Sequence, residues 1–328
     1  MRRALAAWDR FWFAPVSTAT LGVVRIAFAT VLLAWAVALA PDVLSFLGSE
    51  GILPRAPDYA TAGQSGSWSL LGSNPTDAAV VVFYAVFVVA VICLLVGFHT
   101  RLAALAVFCG LVSFTRRNPF VLNSGDLLLR VTAFYLLLAP AGSALSLDRW
   151  RRARREGADF WDFPRRAMWP VRLLQVQLSV LYLSTLWAKA GGTTWADGSA
   201  VSYALRVGFL NRLPVPDVVS DSLLLSNLLS YATLGTELAL AVLVWNRRLR
   251  PWVLGLGVAF HLAIDYAIRV GFFSYAIFVL YIAFVPPHAM ERWLQGMRSR
   301  LRERRQRRLA EPAEPVPSTV EASASGTA

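Results

Sequence analysis

Lysine is almost missing from this chain. Of its 32 lysine and arginine residues, one alone, Lys189, is a lysine. Cysteine is confined to Cys93 and Cys109, both inside apolar runs, which argues against a disulfide framework and against a cysteine metal site. Histidine occurs three times, and charged residues make up 16% of the chain, short of the roughly 25% usual in soluble domains. An ordinary soluble domain is therefore excluded. The net charge is +12, yet the arginines sit in short segments between apolar runs. That is the pattern of topology determinants, so no nucleic-acid partner is expected.

What the chain has in quantity is apolar: 56% hydrophobic residues and a mean hydropathy of +0.52. A membrane span needs about 20 apolar residues, or fewer where protein covers it. Eight segments read as spans: 18–40, 78–97, 101–114, 127–145, 171–188, 223–245, 252–268 and 271–285. The third is short for a crossing and fits a re-entrant segment. Ala38-Leu39-Ala40 resembles a signal-peptidase site, but Pro41 would follow the cut, so the first run reads as an uncleaved span. The expected fold class is all-α, a polytopic membrane helical bundle of about eight transmembrane segments. The lipid bilayer of the cell membrane is its expected partner, and multi-pass insertion its expected localisation.

Arginine bias orients the bundle N-in/C-in. The runs 149–155, 247–250 and 292–308 fall inside, and the outer loops hold only Arg55, Arg116, Arg117, Arg206, Arg212 and Arg269. Residues 1–17 form a cytoplasmic N-terminus and 18–287 the transmembrane domain. Residues 288–309 read as a basic amphipathic cytoplasmic helix with Met290, Trp293, Leu294, Met297 and Leu301 at helical spacing. Such a helix suits an anionic inner leaflet. Residues 310–328 have too little apolar content to fold and read as disordered. The outer loop 45–77 carries several turn signals and reads as a cap over the bundle.

Polar residues inside the spans fall into stripes. Gln175, Tyr182 and Lys189 are spaced seven apart and share one helix face. Ser226, Ser230, Thr233 and Glu237 share another, and His261 lies one turn from Asp265. Lipid cannot solvate such groups, so these faces must point into the bundle. Serines and threonines there can simply join helices by hydrogen bonds. Glu237 can be the counter-ion of a buried arginine such as Arg25 or Arg130, and His261 with Asp265 can be a helix-packing pair. Two such residues without a third ligand do not make a metal site, and no metal is expected. Ahead of the fourth span lies a denser cluster, Arg116-Arg117-Asn118 and Asn123-Ser124-Gly125-Asp126 followed by Arg130. Asp126 and Arg130, one turn apart, can pair; Asp126 can equally serve the helix N-terminus.

Lys189 is placed at the outer end of the fifth span. An amine there can snorkel to the interface. It can also lose its charge on burial and act as a base, which a guanidinium cannot do. At about 1.5 Å per residue, Glu237 lies roughly 20 Å below the outer surface, which separates it in depth from Lys189 and leaves it a structural role.

At these residues the chain resembles the HTTM (horizontally transferred transmembrane) domain family, related to the membrane domain of vitamin K-dependent gamma-carboxylases. The matching features are Arg117-Asn118 with Asn123-Ser124-Gly125-Asp126 and Arg130; Gln175, Tyr182 and Lys189 leading to Trp195-Ala196-Asp197-Gly198; and Glu237 followed by His261. The resemblance covers roughly residues 10–287. It implies a helical bundle with an outward-facing site and quinol-dependent carboxylase or epoxidase (lyase-type) chemistry. In those enzymes a lysine deprotonates a reduced quinone, whose oxygenation yields a base strong enough to open a glutamate to carbon dioxide. Lys189 matches that catalytic lysine. Asn123, Asp126, Tyr182, Trp195 and Asp197 would contact quinone or substrate. Arg130, Gln175, Glu237, His261 and Asp265 remain buried polar residues without an assigned role. The cofactor implied is a reduced menaquinone or vitamin K-type quinol, and the second substrate a small molecule or peptide. The chain departs from the family pattern in three places. A histidine expected near the fourth span is replaced by Asn123 or Ser124, Ala190-Gly191-Gly192 lacks paired lysines, and a short basic tail stands where the carboxylases carry a large domain. Two other functions fit the sequence: a non-enzymatic accessory, immunity or export protein, and a small-molecule transporter using Glu237 and His261 as a proton relay. The absence of an inverted repeat speaks against the transporter.

Overall fold

The computed structural model describes residues 1–54, 68–72, 74–121 and 123–310. The helices are α1 (Arg2–Phe13), α2 (Ala19–Leu39), α3 (Val43–Leu47), α4 (Asp77–Val96), α5 (Thr100–Arg117), α6 (Ser124–Leu138), α7 (Leu147–Glu156) and α8 (Trp169–Ala190). They continue with α9 (Thr193–Ala196), α10 (Ala200–Leu205), α11 (Asp217–Asp221), α12 (Leu223–Val242), α13 (Arg250–Ala267), α14 (Phe273–Ile282) and α15 (Pro287–Ala310). Two short strands, β1 (Pro15–Ser17) and β2 (Arg165–Ala167), pair antiparallel with Val16 opposite Arg166.

Local chemistry sets the boundaries. Thr76 accepts from the Ala79 N–H to start α4, and Gly97, at φ 70°, ends it in the left-handed conformation that glycine adopts without cost. Asn123 and Asp126 form a capping box at the start of α6. The expected segment 127–145 stops being an α-helix at Leu138. Ala139 turns extended (φ −79°, ψ 151°) ahead of Pro140, which has no N–H to offer and disfavours a helical residue before it.

All eight apolar segments form helices, but eight crossings do not follow from them. Among the described residues three helices are long and apolar enough to cross a membrane: Ala19–Leu47, Asp77–Val96 and Leu223–Trp245. Phe273–Ile282 together with Pro287–Arg304 makes up to a fourth, bent by 94°. The others fall short in length or in apolar content, because they carry the polar stripes and end charges noted above. The bundle nevertheless shows lipid-compatible flanks: Val81, Val82, Val86, Val89 and Ile92 lie exposed along α4.

Helix α14 packs against α2, α6, α8 and α13, and its Ala276, Ile277, Val279 and Leu280 are buried in the main core. The basic helix α15 leaves it at the sharp bend. Its expected apolar stripe is split. Met290 and Leu294 are buried with Ala19, Ala144 and Phe163, and Met297 packs alongside, whereas Trp293 and Leu301 stay exposed. Part of the tail helix is thus docked onto the protein. The expected disorder of 310–328 falls, beyond Ala310, outside the described residues, as does part of the 45–77 loop.

The arginine-rich segments gather at one end. Arg172 donates to the Phe11 carbonyl at 3.2 Å, Arg250 to that of Phe284 at 3.3 Å, and Asp148 of α7 accepts from Thr100 at 2.8 Å. Lys189 and the segment 190–222 occupy the other end.

Candidate functional site

Helices α8 and α12 pack side by side and antiparallel. Ser179 donates to the Ala241 carbonyl at 2.8 Å, and one helical stretch later Thr185 reaches the Glu237 carboxylate at 3.2 Å. The Lys189 ammonium donates to Glu237 Oε1 in an ion pair. Lys189 and Glu237, placed at different depths by residue counting, are thus in contact. A helical side chain leans toward its own N-terminus, so in antiparallel helices the Lys189 and Glu237 side chains lean toward each other. Glu237 is accordingly the partner of Lys189, and not of Arg25, whose guanidinium donates to the Leu145 carbonyl at 2.6 Å, nor of Arg130. Side-chain exposure is 21% for Lys189 and 7% for Glu237, so the pair is largely withdrawn from water but open on the lysine side. There the Trp195 ring lies 5.2 Å from the ammonium, a cation–π distance.

Two turns deeper on the same face of α8, Tyr182 is buried and its hydroxyl joins two partners. His261 Nε2 of α13 lies 2.7 Å away and the Tyr281 hydroxyl of α14 2.8 Å away. Gly257 makes this approach possible, since a Cβ there would stand 2.3 Å from the Tyr281 hydroxyl oxygen. His261 is packed against Phe260, Phe273 and Phe278, and its Nδ1 is buried without a partner among the described residues. Thr185 lies between the two groups, within reach of both Glu237 Oε2 (3.2 Å) and the Tyr182 carbonyl (3.0 Å).

The other candidate residues lie elsewhere. Gln175 shares the stripe with Tyr182 and Lys189 but is fixed by Arg172 (2.8 Å) and the Ala283 carbonyl (2.7 Å). Asp126 does not pair with Arg130. It accepts from the Trp35 indole at 2.8 Å and from the Asn123 N–H at 3.0 Å, because a carboxylate at the third helical position is already directed to the cap. Asn123 in turn caps α6, accepting from Gly125 at 2.7 Å. Asp197 accepts from the Ser199 hydroxyl at 2.5 Å and N–H at 2.9 Å. Those hydrogen bonds hold its carboxyl below the usual carboxylate range, and it tightens the turn after Trp195. Asp265 turns from His261 to Arg212 (2.5 Å) and Tyr275 (3.2 Å). The sixth-span stripe also divides. Ser226 donates to the Gly198 carbonyl at 3.1 Å and Ser230 accepts from the Val201 N–H at 3.2 Å, fastening the segment after Trp195. Thr233 bonds back to Leu229 in its own helix. Among the described residues no group of three or more His, Cys, Asp or Glu residues could hold a metal.

Chemically, the Lys189–Glu237 ion pair places an amine and a carboxylate in direct contact beside an aromatic face, with the lysine side partly open. The buried tyrosine–histidine–tyrosine group can transmit a change in hydrogen bonding between α8, α13 and α14. Tyr281 and Thr185 were not anticipated. Tyr281 sits in an unbroken apolar run, where only its hydroxyl marks it, and Thr185 reads as an ordinary helix hydroxyl. No curated protein and no solved structure matches the chain. The HTTM domain family model matches residues 13–288, nearly all of the chain, and the protein belongs to the HTTM domain family.

Proposed function

We propose that this membrane protein carries out quinol-dependent proton-abstraction chemistry of the carboxylase or epoxidase kind, with Lys189 as the base at a site facing outward from an N-in/C-in bundle in the bacterial cell membrane. The observation that carries this reading is the contact of the only lysine with Glu237 beneath the Trp195 ring. A base must release its proton again, and Glu237 gives Lys189 an acceptor in direct contact. Lys189 keeps one exposed side, and the nearby aromatic face suits a planar ring. A bound quinol would supply an acidic hydroxyl next to the amine. Trp195 and Tyr182 are the residues of the proposed contact set that lie nearest this pair. Asn123, Asp126 and Asp197 serve turns and caps, which supports a positioning role for them.

The test is purified protein in lipid with reduced menaquinone and oxygen, with quinone epoxide read by mass spectrometry. Epoxide that forms with the wild type and fails with both Lys189→Arg and Lys189→Met supports the base. Full activity of Lys189→Arg discards it, because a guanidinium stays protonated.

A second reading, a proton relay in a transporter, is favoured by Thr185 lying within reach of Glu237 and of the Tyr182 backbone. Proton-coupled flux in liposomes that is unchanged by Glu237→Gln would remove it. A non-enzymatic accessory, immunity or export role predicts no turnover of quinol at all.

A further inference from the structure

At the arginine-rich end, opposite Lys189, the start of α5, the break after α6 and helix α7 enclose a cavity of about 840 Å³. Arg101, Arg151, Arg152, Arg155 and Arg166 line it, and all five are exposed. None of them takes part in an ion pair among the described residues. Arg151 is braced over the Phe98 ring at 4.5 Å. Two carboxylates share the wall, Asp148 and Glu156. Asp148 is already committed, accepting from the Thr100 N–H (2.8 Å), the Thr100 hydroxyl (2.7 Å) and the His99 N–H (3.0 Å). Five guanidiniums converging on one hollow, with one free carboxylate, form a receptor for an anion rich in oxygen acceptors. The guanidinium fork matches phosphate oxygens in pairs.

The rim of this hollow is apolar on one side. Leu102 lines the cavity and is 65% exposed. Leu105, one turn on, is exposed as well, as are Phe134 and Leu138 on the adjoining α6, which meets α5 through Phe108 against Phe134 at 5.5 Å. A cationic hollow opening onto an apolar helix face is the shape of a phospholipid, head in the one and chain along the other. A soluble phosphate would use the arginines and leave the apolar face idle.

We propose that this cavity binds the phosphate head group of an anionic phospholipid, whose acyl chain lies along the α5–α6 face. Full-length protein in neutral detergent is titrated with phosphatidylglycerol and with phosphatidylcholine, bound lipid is read by native mass spectrometry, and inorganic phosphate serves as competitor. The expected result is one phosphatidylglycerol held at least about tenfold more tightly than phosphatidylcholine and not displaced by an equal concentration of phosphate. Arg151→Gln with Arg155→Gln should lower that affinity about tenfold or more, the scale of losing charge-assisted hydrogen bonds. Leu102→Gln should weaken it too, whereas Arg300→Gln with Arg304→Gln on α15 should leave it unchanged. Equal retention of the two lipids by the wild type, a measurement that needs no variant, overturns the proposal. So does an equal loss from the α15 variant, which would mark diffuse attraction to charge. Displacement by phosphate at equal concentration would show a soluble anion to be the ligand and overturns it likewise.

Discussion

The Lys189 ammonium and the Glu237 carboxylate meet across antiparallel helices, each reaching toward the middle of the other's turn. Their contact is the one ion pair among the described residues that joins α8 to α12, and it lies beside the buried Tyr182 group. Removing one member leaves the other partly withdrawn from water without a counter-charge.

Lys189→Met and Glu237→Gln should therefore each destabilise the protein, and the double variant should lose less than their sum. A coupling of about 1–3 kcal/mol is the expected scale for a contacting pair, nearer the lower end because Lys189 keeps 21% of its side-chain surface. Thermal unfolding in detergent measures it. Additive losses would mean that the two groups do not depend on each other.

The Tyr182 hydroxyl serves two partners, so its removal is the more costly of two single-oxygen deletions. Tyr182→Phe leaves His261 Nε2 and the Tyr281 hydroxyl unmatched in a buried site, at a cost of about 1–3 kcal/mol. Tyr281→Phe leaves the Tyr182–His261 bond in place and should cost about 1 kcal/mol or less. Equal melting temperatures for the two variants would contradict this order.

The bundle was legible in the sequence because its periodic signals are strong. Gln175, Tyr182 and Lys189 do share an inward face, and every apolar segment is helical. Partners across helices were less legible, since spacing along one helix says nothing about its rotation against the next. Asp126 and Arg130, a turn apart, looked like a pair, yet the indole of Trp35 and the cap of α6 took the carboxylate. Counting residues from the membrane surface separated Lys189 from Glu237. That count follows Cα positions and neglects two long side chains that lean in opposite chain directions. Tyr281 stayed hidden because a single hydroxyl in an apolar run does not disturb the pattern.

Gly257 offers a steric test of the same site. A methyl group there would lie 2.3 Å from the Tyr281 hydroxyl oxygen and 2.8 Å from Leu240 Cδ2, so Gly257→Ala must push Tyr281 off Tyr182 or part α13 from α14. A loss of about 1–3 kcal/mol is the usual cost of overpacking. Adding Tyr281→Phe removes the closest atom and should recover part of it. A Gly257→Ala protein that melts with the wild type would show that the helices yield freely here.

Asp148 sets an acid limit at the arginine-rich end. Burial pushes its carboxyl up, but the hydrogen bonds from Thr100 and His99 outweigh this and hold it below the ordinary carboxylate range. A carboxyl depressed in the folded state contributes stability that is full above its unfolded value of about 3.9 and fades as pH falls through the lower folded value. Wild type and Asp148→Asn should thus differ most near neutral pH and converge in acid. Melting curves from pH 7 down to about 3 would read it, and a constant difference over that range would assign the loss to packing.

Arg117 ties the other end of the bundle together. Its guanidinium is fully buried and donates to the carbonyls of Leu53 (2.7 Å), Gly48 (2.8 Å) and Pro54 (3.1 Å). Three acceptors in fixed directions suit the planar fork of arginine and not the single nitrogen of lysine. Arg117→Lys keeps the charge but cannot keep all three bonds, and the carbonyl of buried Gly48, if left unmatched, costs about 1–3 kcal/mol. Lysine should therefore be nearly as damaging as methionine at this position, with faster proteolysis after residues 48–54 as the local sign. If Arg117→Lys melted with the wild type, charge alone would be what this site requires, and the three carbonyl bonds would contribute little.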